Sequence, residues 1–240
     1  MTMKRLLLPS ILVLVLACKQ KTETNKTSDF PTFIENFNAS SNAEDIPDLS
    51  AGHYASELQR ITKQLEELNT IDTTLLSFEE RIDWRFAHSI LKGKEIRQSA
   101  HQIWKMDPRN YMSFRAIGNT LEKPGAVSDK ITQLEARLKM VPVQLQNGQN
   151  QLEFYVPRFQ ELSLFMAKNS KSLFEKDLMG FASNLEGAEK LIPLITKCKE
   201  ALETYTSFIS NELPQKPTQA FAMGKETYNR MLEQQFLLDY

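Results

Sequence analysis

The sequence predicts an all-α protein, an irregular bundle of about seven to nine helices, and three observations support this class. Apolar residues recur at spacings of three and four along most of the chain, which is the period of a helix face. No alternating strand pattern exceeds four residues. Only 8 glycines among 240 residues argue against a sheet-rich or glycine-loop architecture. A content of 41% hydrophobic and 25% charged residues is typical of a globular protein and excludes a multi-span membrane protein.

The first 17 residues predict a lipoprotein signal peptide. Residues 1–5 carry two basic side chains, and residues 6–16 form an almost unbroken apolar run. This run is too short for a helix to cross about 30 Å of hydrocarbon, but it suits the apolar region of a signal peptide. It ends in Val15-Leu16-Ala17-Cys18, which resembles a bacterial lipobox. Cys18 is therefore the predicted lipid attachment site, and an uncleaved anchor helix is the alternative.

Residues 18–29 are predicted to be an acylated cysteine followed by a disordered tether. Residues 19–28 contain no apolar side chain, so this segment can bury nothing and stays unfolded. We therefore expect a lipid-anchored, extracytoplasmic protein of the bacterial cell envelope, with the membrane as a partner through Cys18. Lys19 resembles a sorting signal for the outer membrane. Cleavage after residue 17 leaves 27 basic against 30 acidic residues, so no nucleic-acid partner is expected.

Capping residues predict where the first helices of the body, residues 30–240, begin. Ser50 caps a helix that runs to about Asn69, and residues 77–80 (SFEE) form a capping box. The helix opened by this box continues past Ile96 toward Trp104 and carries Ile82, Phe86 and Ile90. The stripe of the earlier helix comprises Tyr54, Leu58, Ile61, Leu65 and Leu68.

Further starts and two bends are predicted downstream. Asp107-Pro108 is a second start signal, and Ser128 opens a third long run. Pro142 lies inside that run and Pro193 inside residues 188–210, and each removes one backbone hydrogen bond, so we expect a bend at both. Pro157 is interpreted as a first-turn proline.

The last third of the chain ends in a helix with an apolar terminus. A shorter helix is predicted around residues 173–181, a loop at residues 213–217, and a last helix opened by Gly224. This helix ends in Phe236-Leu237-Leu238-Asp239-Tyr240, without a polar tail. Either it packs into the body, or a missing segment or partner protein docks near Leu237 and Leu238.

No motif in the sequence assigns catalytic, metal-binding or cofactor-binding residues. His53, His88 and His101 do not form an H-E-x-x-H motif, and the sequence contains no G-x-S-x-G, Walker or G-x-G-x-x-G pattern. Cys198 lies on an apolar helix face and is interpreted as a buried hydrophobe, because a free cysteine is usually buried.

Two further groups of residues could form a site, but ordinary surface and core roles are favoured for both. One is a set of basic residues that could line an anion site: Arg109, Arg137, Lys139 and Arg158. The other is a set of aromatic residues that could line a groove: Trp84, Trp104, Tyr111 and Phe114.

The order of several segments resembles a known family. These are residues 82–84 (IDW), 107–111 (DPRNY), 136–145 (ARLKMVPVQL) and 222–228 (AMGKETY). They resemble the N-terminal half of the bacterial domain-of-unknown-function 885 family. The resemblance implies an all-helical, often lipid-anchored protein of about twice this length, similar to gluzincin zinc metallopeptidases.

The resemblance also implies where the chemistry of such a protein would lie. The family's zinc site is an H-E-x-x-P-G-H stretch with a downstream glutamate, both in the C-terminal half, and this sequence contains neither. We therefore expect no catalytic activity from this chain alone, with zinc implied for the complete family domain only. The alternative is a self-standing envelope module that binds a peptide or protein, and a zinc enzyme built on the three histidines is a third hypothesis.

Overall fold

The computed structural model describes residues 29–41, 46–112 and 114–238, and these residues fold into nine α-helices. The predicted signal peptide and Cys18 lie outside the described residues. Within those ranges the only strand-like pairing is a single parallel bridge between Tyr155 and Thr218, so the all-α prediction is confirmed. The helices are α1 (Phe30–Ser41), α2 (Ala51–Asn69), α3 (Phe78–Ile96), α4 (Phe114–Glu122), α5 (Val127–Gln151), α6 (Pro157–Ser172), α7 (Met179–Asn184), α8 (Ile192–Asn211) and α9 (Lys225–Gln234).

The predicted caps of α2 and α3 are confirmed. The Ser50 hydroxyl accepts a hydrogen bond from the His53 amide at 3.1 Å, and α2 ends at Asn69 as predicted. At the start of α3, the Glu80 amide donates to the Ser77 hydroxyl at 3.2 Å, and the Ser77 amide donates to the Glu80 carboxylate at 2.8 Å. This reciprocal pair satisfies two amides that would otherwise have no partner within the helix.

The two predictions about the segment after α3 are confirmed in part. The predicted continuation past Ile96 is confirmed as far as His101, because Arg97–His101 follows α3 directly as a π-helix. The helical course stops short of Trp104, since Gln102 adopts a left-handed conformation with φ 46°. The predicted start at Asp107-Pro108 is confirmed, because the Asp107 carboxylate accepts a hydrogen bond from the Arg109 amide at 3.0 Å and Pro108 lies in the first turn. The element that starts there is the short 3-10 helix Pro108–Tyr111. The α-helical course resumes only at α4.

Of the prolines at 142, 157 and 193, one lies inside a helix and two lie in a first turn. Pro142 lies inside α5, which is one continuous helix from Val127 to Gln151. The Ser128 side chain does not cap this helix. Pro157 is the first residue of α6, as predicted. The predicted interior bend at Pro193 is wrong, because α8 begins at Ile192. At this position the missing N–H costs no intrahelical bond.

The larger of the hydrophobic clusters is built around α5 and α8, with α4, α6 and α7 packed about them. Its buried residues include Leu138, Val141 and Leu145 of α5 and Ile195, Cys198 and Leu202 of α8. Three side-chain amides of α5 fasten the segment before α2 to this cluster. Gln144, Asn147 and Gln151 donate to the carbonyl oxygens of Pro47, Asp48 and Leu49 at 2.7, 2.8 and 2.6 Å.

The first three helices form a second cluster. Its buried members include Phe30, Phe33 and Phe37 of α1, Ile61, Leu65 and Leu68 of α2, and Ala87 and Leu91 of α3. The indole of Trp84 reinforces the α2–α3 contact by donating to the Leu68 carbonyl at 3.0 Å. None of the helices in the described ranges has both the length and the apolar content that crossing a bilayer requires.

Candidate functional site

A surface groove lies between α4 and α6. Its volume is about 590 Å³, and its walls combine apolar and polar side chains. Phe114 of α4 is buried beneath it, whereas Phe165 of α6 is 66% exposed. Asn119 and Asn169 lie on opposite walls, so the groove offers amide groups on both sides of an apolar floor. Such a lining suits a ligand that carries both apolar and hydrogen-bonding groups.

The four basic residues considered as an anion site do not converge. Of these four, only Arg109 lines the groove, and its guanidinium pairs with the buried carboxylate of Asp107 at 2.6 Å. Lys139 pairs with Glu135 and Arg158 with Glu161, each at 2.6 Å. Arg137 has a buried Nε without a hydrogen-bond partner among the described residues. The favoured interpretation as separate surface and structural residues agrees with these contacts.

The aromatic residues considered as a groove lining are also dispersed. Trp84 belongs to the α1–α3 cluster, and Phe114 alone among the four lines the groove. Trp104 stacks on Tyr54 with ring centroids 4.6 Å apart, and the Tyr111 hydroxyl donates to the Trp104 carbonyl at 2.7 Å. Burial raises the pKa of Tyr54 to about 12, so its hydroxyl stays protonated at neutral pH.

The histidines and Cys198 show no arrangement for catalysis among the described residues. His53 contacts Tyr54, His88 stacks on Trp84 at 5.1 Å, and the His101 ring lies 3.1 Å from the Phe221 carbonyl oxygen. No group of three His, Cys, Asp or Glu side chains in the described ranges is placed to hold a metal ion. Cys198 is fully buried, as predicted, and burial raises the pKa of its thiol to about 12.

The most conspicuous exposed apolar surface was not identified from the sequence. Phe78, Ile82 and Phe86, one helical turn apart on α3, are 66, 52 and 64% exposed; we call these three residues the α3 stripe. The apolar pattern of α3 had included Ile82 and Phe86, but the side that packs on α1 and α2 carries Ala87 and Leu91.

A second exposed apolar group closes the described chain. Phe236, Leu237 and Leu238 are 51, 44 and 47% exposed, and we call them the terminal segment. Helix α9 itself does pack on the body: a Cβ atom at Gly93 of α3 would lie 2.5 Å from Cδ of Gln235. Of the two alternatives for the chain end, packing of the helix into the body is therefore confirmed, and the terminal segment remains exposed.

Together these features define a helical body with extensive surface apolar side chains and, in its described residues, no assembled catalytic group. The chain belongs to the DUF885 family of bacterial proteins of unknown function, whose model matches residues 31–240. This confirms the resemblance noted in the sequence. No curated protein matches the chain.

One solved structure shows a similar fold. It is that of a candidate lipoprotein of unknown function from Shewanella oneidensis, with a TM-score of 0.74 and 16% identity. The match covers 85% of this chain and 41% of the other, so the part of that protein similar to this chain is about two fifths of its length.

Proposed function

We propose that this chain is a lipid-anchored scaffold of the bacterial envelope whose helical body receives a further polypeptide segment. The observation that carries the proposal is the terminal segment, where Leu237 and Leu238 stay exposed although α9 is docked. Exposed groups of large apolar side chains are typical of protein–protein contact sites. The similar chain from Shewanella is more than twice as long as its matched part, which supports a second segment as the partner.

The location of the protein in the cell envelope is part of the same proposal. Acylation of Cys18 would anchor the chain, and the polar residues 19–28 would hold the body away from the bilayer. Lys19 supports the outer membrane as the location. Lipid attachment at Cys18 agrees with the description of the similar Shewanella protein as a candidate lipoprotein.

In this proposal, catalytic activity requires the complete family domain. The family resemblance implies a zinc metallopeptidase-like hydrolase only when the C-terminal half with its H-E-x-x-P-G-H stretch is present. This chain alone then supplies the helical scaffold and binds no zinc of its own.

Two measurements test the scaffold proposal. Cells given labelled palmitate should label the chain, and Cys18→Ala should abolish both the label and the membrane fraction of the protein. A cysteine introduced by Leu237→Cys should react with N-ethylmaleimide more slowly in the source bacterium than in the purified chain in detergent. Equal rates in both preparations would contradict docking at the chain end, and chelator-sensitive peptide cleavage by the purified chain would contradict a non-catalytic scaffold.

A second candidate function, a self-standing peptide-binding module, is favoured by the groove between α4 and α6. Arg115 and Glu122 line the groove, both are exposed, and neither forms an ion pair within the described ranges. Calorimetry of the purified chain against peptide pools should then detect binding that Phe165→Glu removes. The matched control is Phe221→Glu, at a similarly exposed phenylalanine outside the groove. Absence of heat with every pool would remove this candidate.

A further inference from the structure

The α3 stripe lies on the side of α3 opposite the α1–α2 contact. A helix turns by about 100° per residue, which places Phe78, Ile82 and Phe86 within one sector and Ala87 and Leu91 roughly opposite. Ala87 and Leu91 are fully buried against α1 and α2, whereas the stripe is more than half exposed at every position. Helix α3 therefore has two apolar faces, and the described residues cover only one along its N-terminal half.

The face of α3 that carries the stripe is covered by another helix farther toward the C-terminus of α3. Ser89 and Gly93 follow the stripe in the same sector, and both are buried. The close approach of Gln235 to Gly93 shows that α9 occupies this part. The uncovered stripe thus continues an existing helix–helix interface toward the N-terminus of α3.

Opposite charges border the stripe on its two edges. Arg81 and Arg85 lie about 60–100° to one side of its centre, and Glu79 and Asp83 lie at similar angles on the other side. All four are exposed, and none forms a salt bridge within the described part of the chain. An apolar seam between a basic and an acidic edge is the pattern that helices use to select a partner helix and its orientation.

We propose that the α3 stripe is the binding site for an amphipathic helix of a further polypeptide segment, which packs along α3 next to α9. The occupant presents apolar side chains at spacings of three and four, with acidic residues toward Arg81 and Arg85 and basic residues toward Glu79 and Asp83. The stripe extends over nine residues, from Phe78 to Phe86, which is about 12 Å of helix axis, so two to three turns of the occupant cover it. This inference rests on the scaffold function, and it identifies where and by what kind of element the further segment binds.

Size and charge disfavour the other occupants. A stable dimer buries about 800 Å² on each partner, and three side chains supply well under this area, so a second copy of the chain is not the occupant. An anionic bilayer surface would attract the arginine edge but repel the edge that carries Glu79 and Asp83. A partner helix with acidic residues along one edge and basic residues along the other would be attracted to both charged edges of the stripe.

Cysteine protection in the source bacterium tests this assignment. Cys198 is buried, and Cys18 is the proposed lipid attachment site, so an introduced surface cysteine is the reactive thiol. Ile82→Cys reports on the stripe, and Val143→Cys, at a 42% exposed position on α5, is the control. We expect N-ethylmaleimide to modify Ile82→Cys at least tenfold more slowly in cells than in the purified full chain in detergent, and Val143→Cys at similar rates in both.

A second substitution separates docking from general crowding. Adding Phe86→Glu to the Ile82→Cys chain should restore fast modification in cells, because a buried charge disfavours docking of an apolar helix face. Phe221→Glu, at a similarly exposed phenylalanine outside both α3 and the groove, should leave the protection intact.

Three outcomes would overturn the inference. One is equal reactivity of Ile82→Cys in cells and in the purified chain. Another is protection reproduced by vesicles of phosphatidylethanolamine and phosphatidylglycerol alone, which would assign the stripe to the bilayer. The third is protection that grows with the concentration of the purified chain, which would assign it to a second copy. A protected Leu237→Cys with a reactive Ile82→Cys defeats this inference only, whereas reactivity at both positions defeats the scaffold function as well.

Discussion

Gly148 of α5 faces the hydroxyl of Tyr205 on α8 so closely that a methyl group at Gly148 would lie 2.7 Å from that oxygen. The Tyr111 ring lies equally near, with its Cγ atom also 2.7 Å from the same position. Tyr205 in turn donates to the Pro108 carbonyl at 2.9 Å. The absence of a side chain at residue 148 therefore allows α5, α8 and the 3-10 turn at residues 108–111 to meet.

A series of glycine substitutions should show this dependence. Gly148→Ala should destabilise the fold by about 1–3 kcal/mol, because both neighbouring tyrosines are buried and cannot move aside. Gly118→Ala on α4 meets no atom within 4 Å and should stabilise by about 0.5–1 kcal/mol through helix propensity. Urea unfolding of the three chains measures the differences, and a neutral Gly148→Ala would show that the tyrosines are more mobile than the packing indicates.

Cys198 should behave as an inert core residue. Its thiol donates to the Leu138 carbonyl at 3.2 Å, and burial raises its pKa to about 12, so little thiolate forms at pH 8. We expect negligible reaction with an aromatic disulfide reagent in the folded chain, and rapid reaction in guanidinium. Fast modification under native conditions would mean that the α5–α8 core opens locally.

Stability should fall at alkaline pH because Tyr205 is buried. Burial raises the pKa of its hydroxyl well above the ordinary 10.0, so the folded chain holds this proton more tightly than the unfolded chain. Its stabilising contribution is complete below pH 10 and is lost as the pH rises through the folded pKa, by up to about 1.4 kcal/mol per pH unit.

The Tyr205→Phe chain provides the comparison. It lacks the hydroxyl, so its unfolding free energy should decline less steeply above pH 10 than that of the unaltered chain. Parallel declines in chemical-denaturation series from pH 8 to 11 would assign the alkaline loss to other groups, such as Tyr54 and Tyr111.

The amides of α5 should matter for the attachment of the segment before α2. Gln151→Leu leaves the Leu49 carbonyl without its 2.6 Å hydrogen bond, and an unsatisfied buried polar group costs about 1–3 kcal/mol. Gln146→Leu, at an exposed position of the same helix, should change stability by less than about 0.5 kcal/mol. Thermal unfolding followed by circular dichroism distinguishes the two, and equal effects would contradict a special role for Gln151.

The sequence by itself determined the features that depend on a few neighbouring residues. The caps at Ser50 and Ser77, the first-turn Pro157 and the burial of Cys198 were all predictable, because each rests on contacts within one or two turns or on a clear apolar face. The family followed from the order of short segments, and its model matches residues 31–240.

Only the tertiary structure decided which apolar face is covered and where helices stop. Both faces of α3 are apolar, and the arrival of α1 and α2 on the Ala87 and Leu91 side leaves Ile82 and Phe86 exposed. The helical course after α3 stops at the left-handed Gln102, and Trp104 then stacks on Tyr54. Tyr54 lies about fifty residues earlier in the chain, so no local pattern could reveal this contact. Burial is a property of pairs of elements, so a pattern within one helix predicts that a face needs a partner but not which partner it receives.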